Sequence, residues 1–231
     1  MEEQKPDRRW IVLVVFAVVA VAVVAAVLIG QGGGSSDESS STSSDEASAG
    51  GCKKVEAPAP KSVSFKAPKE VLKKGETATA VVKTSCGSFE IALDTDRAPE
   101  TANSFAFLAE EGFYDDLTFH RIAPGFVIQG GDPEGTGTGG AGYNMDEKPP
   151  PNLSYTKGVV AMAKSSADPP GRSSSQFFVV TAPDAGLPPE YALVGKVTKG
   201  YDTVEKIEAL GTPEEKPKQT VLMEEVTVEQ G

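Results

Sequence analysis

Residues 10–29 are an unbroken apolar run of 20 residues, and this run decides how the rest of the chain can be organised. As a helix it spans about 30 Å, the thickness of a bilayer's hydrocarbon core. Lys5, Arg8 and Arg9 precede the run, and acidic, Ser-rich sequence follows it. The positive-inside rule therefore predicts a cytoplasmic N-terminus at 1–9 and a transmembrane helix at 10–30, with all later residues extracytoplasmic: a single-pass protein of the cell membrane. The competing reading is a cleaved signal peptide, whose apolar region is usually about 7 to 15 residues. Ala25 and Ala26 are small enough to leave cleavage open.

Residues 31–50 contain no large apolar side chain, so nothing in them offsets the entropy lost on ordering. Ala57-Pro58-Ala59-Pro60 continues the stretch in stiffer, extended form. Residues 31–60 are thus expected to be a linker, leaving a globular domain at 61–231 with its core at about 77–229. Of the net charge of −11, the first 30 residues contribute nothing, with three acidic and three basic side chains. A nucleic-acid partner is excluded on this ground: no basic patch with interleaved aromatics occurs, and an acidic balance repels phosphate.

Beyond residue 75 the pattern is of short strands with little helix. Residues 77–84 and 88–93 are β-rich runs split by the hairpin signal Ser85-Cys86-Gly87. Pro99 opens a helix over 99–111, with Ala102, Phe105, Phe107 and Leu108 on its apolar side and Gly112 past its end. Further strands are expected at 118–122, 126–130, 159–162, 176–181, 192–197 and 221–228, and a short helix at 203–209. Many strands with two helices predict a mainly β or α+β fold with a closed sheet.

The chemistry-bearing run is Phe119-His120-Arg121-Ile122-Ala123-Pro124-Gly125-Phe126-Val127-Ile128-Gln129-Gly130-Gly131-Asp132. In strands, Arg121, Val127 and Gln129 fall at odd positions and can share a face. That describes an apolar pocket with two polar groups, one of them a planar, permanently charged fork of donors. Read with Ser174-Ser175-Gln176-Phe177-Phe178-Val179-Val180 and Tyr191-Ala192-Leu193-Val194-Gly195-Lys196-Val197, the run resembles the cyclophilin family of peptidyl-prolyl cis-trans isomerases, here in a bacterial membrane-anchored form. The resemblance covers residues 77–229.

It implies an eight-stranded antiparallel barrel, closed and capped by two helices. It also implies a catalytic Arg121 and a substrate site of Phe126, Val127, Gln129, Ala163, Phe178, Leu187 and Tyr191. No cofactor or metal is implied, and the expected partners are proline-containing polypeptides bound by a monomer. Four positions depart from the family pattern, Gly186 most: Val127 stands where methionine is common, Lys164 where many members have asparagine, and Tyr191 where many have histidine. Gly186 aligns with a tryptophan of the cyclosporin-sensitive members.

Several blander readings compete. An arginine in an apolar strand is commonly paired with a carboxylate, and His120, the only histidine, is turned away from Arg121 by strand alternation and reads as structural. Gly135, Gly137 and Gly140 satisfy a dinucleotide fingerprint, but Asp132-Pro133 precedes them and Pro149-Pro150-Pro151 follows, so the required strand and helix are missing. Two functional classes remain: an isomerase accelerating Xaa-Pro rotation in secreted or surface proteins, and a non-catalytic module holding proline segments as a chaperone or scaffold. Retention of Arg121 favours the first, because mere binding needs no donor at the prolyl nitrogen. The only cysteines, Cys52 and Cys86, lie on the expected oxidising side, and their even number permits one disulfide.

Overall fold

The computed structural model describes residues 51–231; the expected cytoplasmic N-terminus, transmembrane helix and linker as far as residue 50 lie outside the described residues. Among the described residues no helix is long and apolar enough to cross a membrane. Strands β1 (Ala78–Thr84) and β2 (Gly87–Leu93) form the expected hairpin, with Thr84 opposite Gly87. Helix α1 (Pro99–Glu110) starts on proline, and the Glu147 carboxylate accepts the backbone N–H groups of Glu100 and Thr101 at 3.2 and 2.7 Å. An anion there satisfies orphan donors at the positive end of the helix dipole.

The remaining elements are β3 (Leu117–Thr118), β4 (Arg121–Ala123), β5 (Val127–Gly130), β6 (Met145–Asp146), β7 (Val159–Met162), β8 (Arg172–Ser173), β9 (Phe177–Val180), β10 (Leu193–Lys199), α2 (Tyr201–Glu208) and β11 (Leu222–Gln230). Among the described residues, nine strands make one sheet in the order β3-β11-β1-β2-β10-β7-β9-β5-β4, and β6 pairs with β8 separately. All the pairings are antiparallel.

The expected closed barrel of eight strands is corrected to a curled half-barrel with two helices. The reason lies in residues 117–123, of which 118–122 are read from sequence as one strand. Leu117 and Thr118 pair with β11, and the Phe119 N–H continues to the Val221 carbonyl at 3.0 Å, whereas Arg121 turns to pair with Gln129 of β5. The segment changes partner at His120, so the ladder ends on its two halves instead of closing.

Alternation along β4, β5, β7 and β9 divides their side chains between two apolar clusters. Ile122, Ile128, Val160, Met162, Phe177 and Val179 join the main core. There Phe177 meets Phe105 of α1 edge-on at 5.3 Å and Tyr114 at 5.5 Å. Ala123, Val127, Val159, Ala161, Phe178 and Val180 form the second cluster on the opposite face. The adjacent pair Phe177 and Phe178 thus points to opposite sides, as a strand requires.

The chain is packed earlier than the linker assignment of 31–60 implies. Cys52 is buried and disulfide-bonded to Cys86, and the Lys53 N–H reaches the Ser85 carbonyl at 2.7 Å. Residues 51–77 then run without regular helix or strand to β1, with Leu72 buried in the main core. These contacts are backbone bonds and isolated side chains, which leave no periodic signal.

Candidate active site

Register places the polar groups over the second cluster. Arg121 stands opposite Gln129, Gln129 opposite Phe178, and Phe178 opposite Ala161, making one row across β4, β5, β9 and β7. Ala123, Val127 and Val180 form the neighbouring row. Strands about 4.8 Å apart set these side chains at near-contact spacing, so both rows stand on ladders, while Phe126, Ala163, Leu187 and Tyr191 join them from turns and loops.

Within it, Arg121 Nε donates to Glu215 Oε2 at 2.6 Å and Nη1 donates to Gln129 Oε1 at 3.1 Å. Its guanidinium carbon lies 5.8 Å from the centre of the Phe126 ring. The carboxylate pairing that competes with a catalytic reading is therefore present. It does not exhaust the arginine: two of five N–H donors are used, and the side chain remains 33% exposed. Gln129 Nε2 passes the chain on to Gln176 Oε1 at 3.0 Å, and Gln176 Nε2 donates to the Gly139 carbonyl at 2.9 Å.

Val127 and Phe178 are buried in the cluster floor, while Phe126, Ala163, Leu187 and Tyr191 are partly buried around it. Phe178 and Tyr191 meet edge-on at 5.5 Å, and Tyr155 stands edge-on to Tyr191 at 5.8 Å. The Tyr155 hydroxyl donates to the Tyr191 carbonyl at 2.6 Å and accepts its N–H at 2.9 Å. The Ala163 amide is already committed to the Gln176 carbonyl at 2.8 Å, which leaves the Ala163 carbonyl as the group available to an extended peptide. Lys164 is held at the edge of the site: its ammonium sits 3.3 Å from Glu190 Oε2 and 5.5 Å from the Tyr191 ring centre.

All eight expected site residues thus gather on one face. Three further contributors were not assigned from sequence. Glu215 sits in a loop at φ 60 with no motif around it. Tyr155 is a single aromatic outside any motif in the sequence, and Gln176 lies inside the family-like run without an assigned role.

His120, between β3 and β4, is half-buried, with its Nε2 3.9 Å from where a Cβ on Gly137 would stand. Neither ring nitrogen has a full hydrogen bond, and the Thr118 backbone supplies only weak support. Burial lowers its pKa, with the Arg121 charge adding to the effect and Asp132 opposing it. A histidine held neutral by the fold contributes stability above its unfolded pKa of about 6.5, lost as pH falls through the lower folded value. Melting temperature is expected to fall between pH 7 and 5, and His120→Gln to flatten that slope; equal slopes in the two proteins would assign it elsewhere. Turnover should stay level from pH 6 to 8, since no site group needs to titrate there.

A family model for cyclophilin type peptidyl-prolyl cis-trans isomerases matches residues 79–228. The chain belongs to the cyclophilin family. Peptidyl-prolyl cis-trans isomerase-like 1 of Gibberella zeae is 38% identical over 143 residues, covering 60% of this chain and 86% of that protein. Peptidyl-prolyl cis-trans isomerase ppi1 of Schizosaccharomyces pombe is 39% identical over 139 residues, covering 58% and 88%. A solved Cryptosporidium parvum cyclophilin type isomerase superposes with a TM-score of 0.62 at 30% identity, covering 67% of this chain and 99% of that one.

This cyclophilin is a peptidyl-prolyl cis-trans isomerase. Gly186 adopts φ +63, with nothing within 4 Å of where a Cβ would stand, so no side chain occupies the position aligned with the tryptophan. Cyclosporin is expected to bind weakly. An inhibition constant as tight as that of a tryptophan-bearing cyclophilin would show that another group fills the gap.

Proposed function

We propose that the chain is a membrane-anchored cyclophilin, held through residues 10–30 with its domain extracytoplasmic, that accelerates Xaa-Pro rotation in secreted or surface proteins and assists their folding. The observation that carries the chemistry is the row Arg121, Gln129, Phe178, which sets a fixed donor fork beside an apolar floor. The location is supported by the apolar run with its basic flank and by the buried Cys52–Cys86 disulfide, since such bonds persist in oxidising compartments.

Rotation about a prolyl bond faces a barrier of about 20 kcal/mol because the C–N bond has partial double-bond character. No bond is made or broken, so catalysis requires only that the twisted amide bind better than either planar form. Phe126, Val127, Phe178, Leu187 and Tyr191 hold the proline ring. Gln129 and the Ala163 carbonyl fix the flanking peptide. As the amide twists, the lone pair localises on the prolyl nitrogen and meets an Arg121 N–H, a preorganised donor that gains most in the transition state.

The test is made on the anchored, full-length protein. Protease added to wall-stripped intact cells is expected to release a fragment active in a protease-coupled Xaa-Pro assay. Complete protection of the domain would reverse the topology, and a released, folded fragment without turnover would remove the catalytic assignment.

A further inference from the structure

We propose that residues 52–72 form a strap that positions the glycine-rich wall of the candidate site; this rests on the site assignment above. Beside the Arg121 row lies a cavity of about 600 Å³, lined among others by Gln129, Ala163, Gln176, Gly137, Gly139 and Gly142. The glycine part of this wall belongs to residues 132–142, which form no helix or strand. Gly135, Gly137, Gly139, Gly140 and Gly142 give it high backbone freedom, so its shape must be imposed by neighbours.

From within, the Asp132 carboxylate accepts the N–H groups of Glu134 and Gly137, and Ser174 Oγ accepts the Ala141 N–H at 2.9 Å. From outside, the strap fastens both ends. The Lys61 N–H donates to the Pro133 carbonyl at 2.8 Å, and the Phe65 N–H donates to the Ala141 carbonyl at 2.7 Å. Between them the strap passes so near Gly142 that a Cβ there would come within 2.0 Å of Ser64 Oγ and 3.0 Å of the Phe65 carbonyl.

The strap itself is held by the domain. The Phe65 ring stands edge-on to Phe107 at 5.2 Å and lies 6.3 Å from Phe113. Asn103 Oδ1 accepts the Val71 and Leu72 N–H groups at 2.7 and 2.9 Å, and Asn103 Nδ2 donates to the Lys69 carbonyl at 3.0 Å. Lys61 Nζ donates to the Asp115 carbonyl. The family match begins at residue 79, so the strap is an addition to the matched domain that reaches its substrate side.

Apparent affinity falls by the fraction of molecules in the competent state. Freeing the wall should therefore raise KM and leave kcat, which depends on Arg121, unchanged. In the full-length protein, Phe65→Ala is expected to raise KM for a proline peptide roughly five- to tenfold with kcat within about twofold. Amide exchange at Gly137 should quicken, and Phe65→Leu should restore most of the KM. Lys61→Pro removes the N–H to Pro133 together with the Nζ bond to Asp115, without touching a core side chain, and should shift KM in the same direction. Folded variants with unchanged KM, or loss of folding in both, would overturn the strap's role. An inactive wild type would instead count against the site assignment.

Discussion

Arg121→Ala is expected to lower kcat/KM by roughly a hundred- to a thousandfold, corresponding to about 2.7 to 4 kcal/mol for loss of one preorganised donor. Stability should change little. The Glu215 pair is half open to solvent, and such pairs contribute about 0 to 1 kcal/mol. Binding of a proline peptide should weaken less than turnover, because the apolar floor of Val127 and Phe178 stays in place. Arg121→Lys should also be impaired: the guanidinium spans Glu215 and Gln129 at once through Nε and Nη1, and a single ammonium cannot hold both while facing a peptide. Steady-state kinetics with near-ultraviolet circular dichroism checks both parts. A folded Arg121→Ala protein with near-full rates would show that another group stabilises the twisted amide.

The second large effect concerns the disulfide. Replacing both cysteines, Cys52→Ala with Cys86→Ala, is expected to destabilise the domain by about 4 kcal/mol in the chain-entropy view, given the 34-residue separation. For a domain of this size that corresponds to roughly 10 °C in melting temperature. The bond ties the first described segment to the turn between β1 and β2, where the Thr84 hydroxyl accepts the Cys86 N–H at 3.0 Å. Both sulfurs are buried, so brief treatment of the native protein with reductant should leave it intact. Calorimetry of the double variant decides the point. An unchanged melting temperature, or two free thiols in protein recovered from the envelope, would contradict a structural role for the bond.

What could be read from sequence follows from how each part is held. Strands such as Val159–Met162 and Phe177–Val180 carry continuous apolar runs because both faces are buried, and alternation alone puts Arg121, Val127 and Gln129 on one face. Helix α1 was legible from Pro99 and its apolar spacing. The strap was not. Ala57-Pro58-Ala59-Pro60 looks like a spacer, and what orders residues 52–72 is a set of single backbone and side-chain hydrogen bonds, the Phe65 ring, the buried Leu72 and one disulfide, none of them periodic. Glu215 was equally hidden, since an acidic loop residue becomes informative only when another element brings Arg121 beside it. The break at His120 depends on competition between β11 and β5 for one segment, a tertiary choice that local pattern does not encode.

The most direct test follows one Xaa-Pro peptide by nuclear magnetic resonance, reading binding and cis-trans exchange in the same sample. With catalytic amounts of wild-type protein, exchange should accelerate far beyond its uncatalysed time of tens of seconds while the cis-to-trans ratio stays fixed. Arg121→Ala at the same occupancy should bind the peptide and leave exchange near the uncatalysed rate. Acceleration by Arg121→Ala equal to wild type would contradict the account of the site, and binding by wild type without acceleration would leave only a proline-holding module.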